Sequence, residues 1–390
     1  MDAFSKLIES QQYMDVEADL DTPETPPLDD PPVTACIHSQ AKDELNVFRA
    51  SIRGGRKVPI VKTVLTSACE RNCNYCAFRA GRDFRRFSFN PEEMAQAFMQ
   101  MYRKGTVTGL FLSSGIAGGG VRTQDRLLAT VEILRLKMGY RGYLHLKLMP
   151  GVERAQVERA VQLADRVSVN LEAPTSQTLA RLAPQKQMLE ELVTPLRWVE
   201  ELRRKLPAGA GWLGKLPSSV TQFVVGAVGE TDLELLRGAD YLHQKLKLQR
   251  VYFSGFNPVP GTPFENQPPS DALRRARLYQ ASFLLRDYGF GFEDLPFTAQ
   301  GGLPLDVDPK TAWARQHLSP SPLEVNRAGL EELLRVPGIG RRSALEIVRA
   351  RRMGRLRELD DLKHLGIAAN RAAPFILLDG HAPVYQMRLW

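Results

Sequence analysis

The stretch Ser67–Phe89, SACERNCNYCAFRAGRDFRRFSF, holds three of the chain's four cysteines: Cys69, Cys73 and Cys76, spaced C-x3-C-x2-C. Thiolates are soft ligands that suit zinc or iron. Three are one too few for a closed tetrahedral zinc site, unless a histidine completes it. Three can instead hold a 4Fe–4S cubane by three of its irons, leaving the fourth iron open to an outside ligand. Purely structural cysteines are the third possibility. The remaining cysteine, Cys36, stands beside an acidic, proline-rich segment and reads as a structural or incidental thiol. Clustered thiols of this kind are not a disulfide framework; they point to metal binding in a reducing compartment.

Several elements must position that loop. Apolar runs at 59–66, 107–114, 143–149, 166–171, 219–226 and 250–255 predict six strands. Segments 122–138, 186–205 and 230–246 carry apolar residues at helical spacing. Asn90, Pro91 and Glu93 form an N-cap, first-turn proline and capping-box partner for a further helix. Stretch 206–218, LPAGAGWLGKLPS, predicts a Gly/Pro loop. Strands alternating with helices imply a parallel sheet with right-handed crossovers, and six units in place of eight imply an incomplete barrel. The fold class expected is α/β, a partial (β/α)6 barrel, followed by a small all-α domain. In such barrels functional groups collect on the loops after the strands, which is where the three cysteines fall.

Other strand ends carry matching features. Ser113, Ser114 and Gly115 follow the second strand; Asn170 and Glu172 follow the fourth; VVGAVGET, Val224–Thr231, ends the fifth; FNPVPGTPFE, Phe256–Glu265, follows the sixth. Over about residues 55–295 this set resembles the radical SAM superfamily. The resemblance implies that Cys69, Cys73 and Cys76 hold a 4Fe–4S cluster whose open iron binds S-adenosylmethionine (SAM). Cleavage of SAM then yields a 5′-deoxyadenosyl radical that abstracts hydrogen from a substrate. It implies SAM contacts at Tyr75, Ser113, Ser114, Gly115, Asn170, Glu172 and Gly226, the last letting a backbone approach adenine where a Cβ would clash. Lys147, at the end of the third strand, is read as meeting the SAM carboxylate or a substrate phosphate, or as a surface lysine. Arg79, Arg82, Arg85 and Arg86 either contact phosphates near the cluster or solvate the loop. An external electron donor is implied.

Residues 324–378 read differently. A helix at 327–335 precedes Pro337–Gly340, PGIG, and another starts at Arg341. This resembles a tandem helix–hairpin–helix DNA-binding module. The resemblance implies that Gly338, Ile339 and Gly340 aim backbone N–H groups at a DNA phosphate, at the positive end of the following helix, with Arg341 and Arg342 beside it. A second unit, with a helix at 359–365 and Leu365–Ile367, is read as lacking the first glycine and as a structural partner. A purely structural module, or one that binds protein, is the alternative.

The charge distribution reads either as the footprint of a polyanionic partner or as a solvated helix face. Net charge is +8, but residues 1–44 carry eleven Asp/Glu against two Lys, so the rest is near +17. Residues 341–357 alone hold seven arginines and one glutamate. The organisation expected is a mobile acidic arm over 1–45, a barrel over 46–300, a linker over 301–322, the hairpin module over 323–380 and a tail over 381–390. No secretory leader and no apolar run of about 18 residues is seen, so a cytoplasmic protein without a membrane span is expected. The whole architecture resembles a bacterial family of radical SAM proteins described as acting in DNA modification or repair, which is associated with a uracil-DNA-glycosylase-like partner. A radical SAM enzyme modifying RNA such as tRNA is the rival enzyme reading. A non-catalytic iron–sulfur DNA adaptor is the rival of another class.

Overall fold

A computed structural model describes residues 6–7, 47–51, 57–207 and 209–385. Cys36 and nearly all of the acidic arm lie outside the described residues. The chain divides into two compact units, residues 1–230 with 241–275, and residues 231–240 with 276–390.

The first unit is built on a seven-stranded sheet ordered in sequence, β1 (Phe48–Ser51), β2 (Lys57–Val64), β3 (Gly109–Ser113), β4 (Tyr143–Lys147), β5 (Arg166–Ser168), β6 (Ser218–Val225) and β7 (Arg250–Gly255). β1 is antiparallel to β2, and the others run parallel. An unreversed strand order is that of a barrel arc, in contrast to a doubly wound sheet. β1 and β7 remain edges, so the sheet is a curled half-barrel. All five residues of β3 are buried, as expected for a parallel strand covered on both faces. All six expected strands are present within a few residues. The antiparallel β1 was not expected, because FRAS is short and lacks an apolar run.

Helices connect the strands: α1 (Pro91–Arg103), α2 (Gly120–Glu132), α3 (Arg154–Leu163), α4 (Ser176–Leu182), α5 (Thr194–Lys205) and α6 (Asp232–Leu246). The expected cap of α1 forms in full. Asn90 Oδ1 accepts from Glu93 N–H at 2.7 Å, and Glu93 Oε2 accepts from Asn90 N–H at 3.3 Å. The expected long helix over 186–205 instead begins as a π-helical turn, Met188–Val193, before α5.

The second unit contains α8 (Pro309–His317), which follows α7 (Ala272–Asp287), and then α9 (Leu330–Arg335), α10 (Arg341–Ala350), α11 (Leu359–His364) and α12 (Ala369–Ala372). A short parallel pair, β8 (Leu323–Glu324) with β9 (Ile376–Leu377), brackets α9–α12. The segment expected as a linker is tied down: Leu233 N–H donates to Gly301 O at 2.9 Å, Leu303 N–H to Asp232 Oδ2 at 2.8 Å, and Arg277 Nη2 to Leu305 O at 2.8 Å. The division between units therefore falls near Arg275, ahead of the expected boundary. Among the described residues no helix is long and apolar enough to cross a membrane.

Candidate radical site and candidate phosphate-binding hairpin

The cysteine loop leaves the C-terminal end of β2 and is held by many backbone contacts. Arg86 donates to four carbonyls, those of Ser67 at 2.7 Å, Phe78 at 3.1 Å, Arg79 at 2.8 Å and Arg82 at 3.3 Å. Arg82 donates to Ala77 O at 3.0 Å and to Pro260 O at 2.8 Å, and both guanidiniums stack on Phe84. Arg82 and Arg86 thus staple the loop, a role outside both readings offered for them. Arg79 donates to Asn72 O at 3.3 Å, and Arg85 is exposed. On the far side of the loop, Arg71 pairs with Glu191 at 2.6 Å and Asn74 N–H donates to Leu182 O at 2.8 Å. Gly115 must be glycine, because a Cβ would lie 2.3 Å from Ala68 O.

One cavity at this end of the sheet is lined by Cys69, Cys73 and Cys76, together with Tyr75, Ser113, Ser114, Gly115, Lys147, Asn170 and Glu172. The loops after β2, β3, β4 and β5 therefore converge as the sequence implied. Lys147 is 8% exposed, so the surface-lysine reading fails. Gly226 is not in this lining. Its φ is +92° and an added Cβ would lie 2.6 Å from Ser270 Cβ, so its glycine is explained by backbone and packing within the β6 loop. Its N–H donates to Glu230.

Lys186 was not visible as a functional residue, yet it lines the same cavity and pairs with Glu172 at 2.7 Å. Glu172 is buried with φ +65°, rare for a residue with a side chain. Two bonds to β6 enforce that conformation: Glu172 N–H to Gln222 O at 3.0 Å and Val224 N–H to Glu172 O at 2.7 Å. Burial pushes the Glu172 carboxyl up, but Lys186 and Lys147 outweigh it and hold it below its ordinary value. Burial likewise opposes the charge of Lys186, and Cys73 and Glu172 more than offset this. Burial raises Cys73 and Cys76, while Lys186 pulls both the other way. Tyr75, raised by burial and then by Glu172, is a neutral donor.

The lining fits a cubane and an open-iron ligand. The cysteines are free thiols sharing one cavity, as ligands to separate irons would be. Backbone N–H groups of Ile116 and Phe78 point at Cys69 Sγ (3.5 Å) and Cys76 Sγ (3.4 Å), contacts that stabilise thiolates. Ser114 Oγ is buried without a hydrogen-bond partner among the described residues, a group a ligand would satisfy.

Residues 63–242 match the model of the radical SAM superfamily. Those residues therefore form a radical SAM domain, and members of that superfamily use a 4Fe–4S cluster and SAM. An uncharacterized protein of Methanocaldococcus jannaschii is 23% identical over 57% of this chain and 56% of its own. Among solved structures, the FeFe-hydrogenase maturase HydG from Carboxydothermus hydrogenoformans has a TM-score of 0.47 and 17% identity over 58% of this chain and 51% of its own. Methylornithine synthase (PylB) has a TM-score of 0.45 and 14% identity over 58% of this chain and 61% of its own. The chain thus spans little more than half the length of these proteins.

In the second unit the Pro337–Gly340 turn joins α9 to α10. Gly338 has φ +82°, and a Cβ there would lie 2.6 Å from Ala368 O and 3.1 Å from Arg371 Cβ. Ile339 is buried. Gly338 therefore packs its Cα side against the second hairpin, and the Ile339 N–H donates to Val336 O at 3.2 Å, whereas the Gly338 N–H donates to no group among the described residues. The second turn keeps the left-handed glycine, Gly366 (φ +71°), with Ile367 buried after it. Ala368 stands where Gly340 stands in the first turn, so the second unit lacks the second glycine, not the first. Gly340 caps α10, and the N–H groups of Gly340, Arg341 and Arg342 donate to no group among the described residues. Arg341 and Arg342 are exposed; Arg341 lies 4.0 Å from Asp287. Of the other arginines, Arg351 donates to Ala328 O at 2.6 Å and is structural, whereas Arg352 is exposed with no ion pair among the described residues.

Proposed function

We propose that this radical SAM enzyme modifies or repairs DNA, holding the duplex by its phosphates through the second unit. The observation that supports this reading is the start of α10. Free N–H groups at the positive end of a ten-residue helix are flanked by exposed Arg341 and Arg342, with Arg352 beyond its C-terminal end. Such contacts position a protein on DNA without reading bases. The phosphate seat is Gly338, Gly340, Arg341 and Arg342, with buried Ile339 as its support. A target base in duplex must leave the stack to reach a buried cavity.

In the first unit, Cys69, Cys73 and Cys76 hold the cluster. Ser113, Ser114, Gly115, Asn170 and Glu172 hold the cosubstrate, with Lys147 toward its carboxylate. Lys186 offsets the negative charge of the thiolates and keeps Glu172 ionised. When bound, the cluster and SAM supply one-electron cleavage of the sulfonium and hydrogen abstraction. An electron donor and a glycosylase-like protein are the partners this reading carries, and the cytoplasm is its compartment.

The test is fluorescence anisotropy with labelled duplexes of unrelated sequence across a salt series. Affinity should be nearly independent of sequence and should fall with salt at a log–log slope of about −0.9 per phosphate contact. Arg341→Ala and Arg342→Ala should each flatten that slope by about one unit. Equal slopes in wild type and both variants would remove α10 from the interface.

A further inference from the structure

The sheet has a second cavity at the end opposite the cysteines. It measures about 920 Å³, within the range of ligand sites. Val58, Thr108, Tyr143, Arg166, Ser218 and Gln249 line it, each at or just before the N-terminal end of one of the six parallel strands. Arg141, Arg203, Lys215 and Lys247 complete a ring of five cations with Arg166, against a single acid, Asp165. Asp165 is already neutralised by Arg135 at 2.8 Å and accepts Leu144 N–H at 2.8 Å. Arg203 shares Glu200 with Arg204. Arg141, Lys215 and Lys247 are exposed and form no ion pair among the described residues. The lining is therefore strongly positive.

The side chain of one cation and the backbone of two others are fixed by their surroundings. Arg166 is 5% exposed and donates to Ser218 Oγ at 3.1 Å and Gln249 Oε1 at 3.2 Å. Lys215 closes a tight turn, its N–H donating to Trp212 O at 3.1 Å, and Trp212 stacks on the Arg135 guanidinium at 4.7 Å. Lys247 follows α6 at φ +50°, and Leu248 N–H closes the helix on Leu242 O at 3.3 Å. That left-handed position is ordinarily glycine or asparagine. The lysine at this strained position lines the cavity.

We propose that this cavity is a phosphate-binding site for a multiply charged phosphate chain. Guanidinium and ammonium groups beside the hydroxyls of Tyr143 and Ser218 are the donors such an anion requires. The phosphates come either from a free polyphosphate or nucleotide, or from a nucleic-acid backbone. The lining lies wholly in the first unit, so the proposal does not rest on α10 or on the choice of DNA as substrate.

Two probes and two variants of the full chain test it. Calorimetric titration with inorganic tripolyphosphate should show saturable binding to wild type. Arg141→Ala/Lys215→Ala/Lys247→Gly should bind it about tenfold or more weakly, since each exposed contact is modest and three are removed. Lys247→Gly alone should weaken binding several-fold with a melting temperature at or above wild type, because glycine is the preferred residue there. A merely structural lysine would not give that pairing. A labelled single-stranded oligonucleotide is the second probe. Parallel loss of its affinity in the triple variant would assign the phosphates to a nucleic-acid backbone; loss for tripolyphosphate alone would assign them to a free ligand. Absence of tripolyphosphate binding to wild type, or wild-type affinity for both probes in the triple variant, would overturn the proposal.

Discussion

Two glycines in equivalent turns differ in what surrounds them, and that difference sets a stability experiment. Gly338 and Gly366 both have left-handed backbone, at φ +82° and +71°. An alanine Cβ at 366 meets nothing within 4 Å, whereas at 338 it would lie 2.6 Å from Ala368 O and 3.1 Å from Arg371 Cβ. Gly366→Ala should therefore cost only the left-handed penalty of about 1–2 kcal/mol. Gly338→Ala adds overpacking of about 1–3 kcal/mol, because the obstructing atom is backbone and cannot swing aside. For a unit of this size each kcal/mol is roughly 3–5 °C, so Gly366→Ala should lower the melting temperature by about 5 °C and Gly338→Ala by about 10 °C or more. Thermal melts give the totals, and hydrogen exchange of peptides from 323–380 assigns the loss to the second unit. Equal destabilisation by the two alanines would refute the packing of Gly338 against the second hairpin.

Other consequences follow from named contacts. Arg86→Met leaves four loop carbonyls short of a donor, at about 1–3 kcal/mol each where buried; iron content after anaerobic reconstitution should drop sharply, and Arg86→Lys, with one ammonium, should not restore it. Cys36→Ala should retain about four irons, in line with one cubane, and Cys73→Ala should lose them. Gly226→Ala should lower the melting temperature, and Ser270→Gly should recover the part due to the 2.6 Å contact but not the part due to φ +92°. Lys310 donates to Ile339 O at 2.6 Å, and burial lowers its pKa to about 7 despite Asp308. Its folded-state value lies below the unfolded one, so between pH 7 and about 10.4 the unfolded chain binds more protons and stability rises with pH. Melts from pH 7 to 10 should show that rise, and Lys310→Met should abolish it.

The cysteine loop, the strand ends and the α1 cap were legible because each is a local pattern of residue type and spacing. Lys186 was not legible: it sits in PQKQ, without motif, and acquires its role only when β5 and the following loop bring it to Glu172. The φ of Glu172 was equally hidden, since two cross-strand bonds impose it. Arg82 and Arg86 were misread because sequence shows a guanidinium's charge and not its acceptors, here carbonyls within the same loop. The hairpin glycines were found, but the packing that requires Gly338 was not. Gly338 is glycine because Ala368 presses on it, and only the second hairpin's placement reveals that. The basic cavity left no contiguous signal, its residues coming from the starts of successive strands.

The central claim, a SAM-cleaving site serving DNA, is tested most directly by anaerobic reconstitution with iron, sulfide, SAM, a reductant and duplex DNA, with mass spectrometry following 5′-deoxyadenosine and altered nucleosides. The account predicts 5′-deoxyadenosine that requires Cys69, Cys73 and Cys76, rises when duplex is added, and loses that rise in Arg341→Ala/Arg342→Ala while basal cleavage persists. Cleavage indifferent to duplex, or a duplex effect untouched by loss of both arginines, would contradict it.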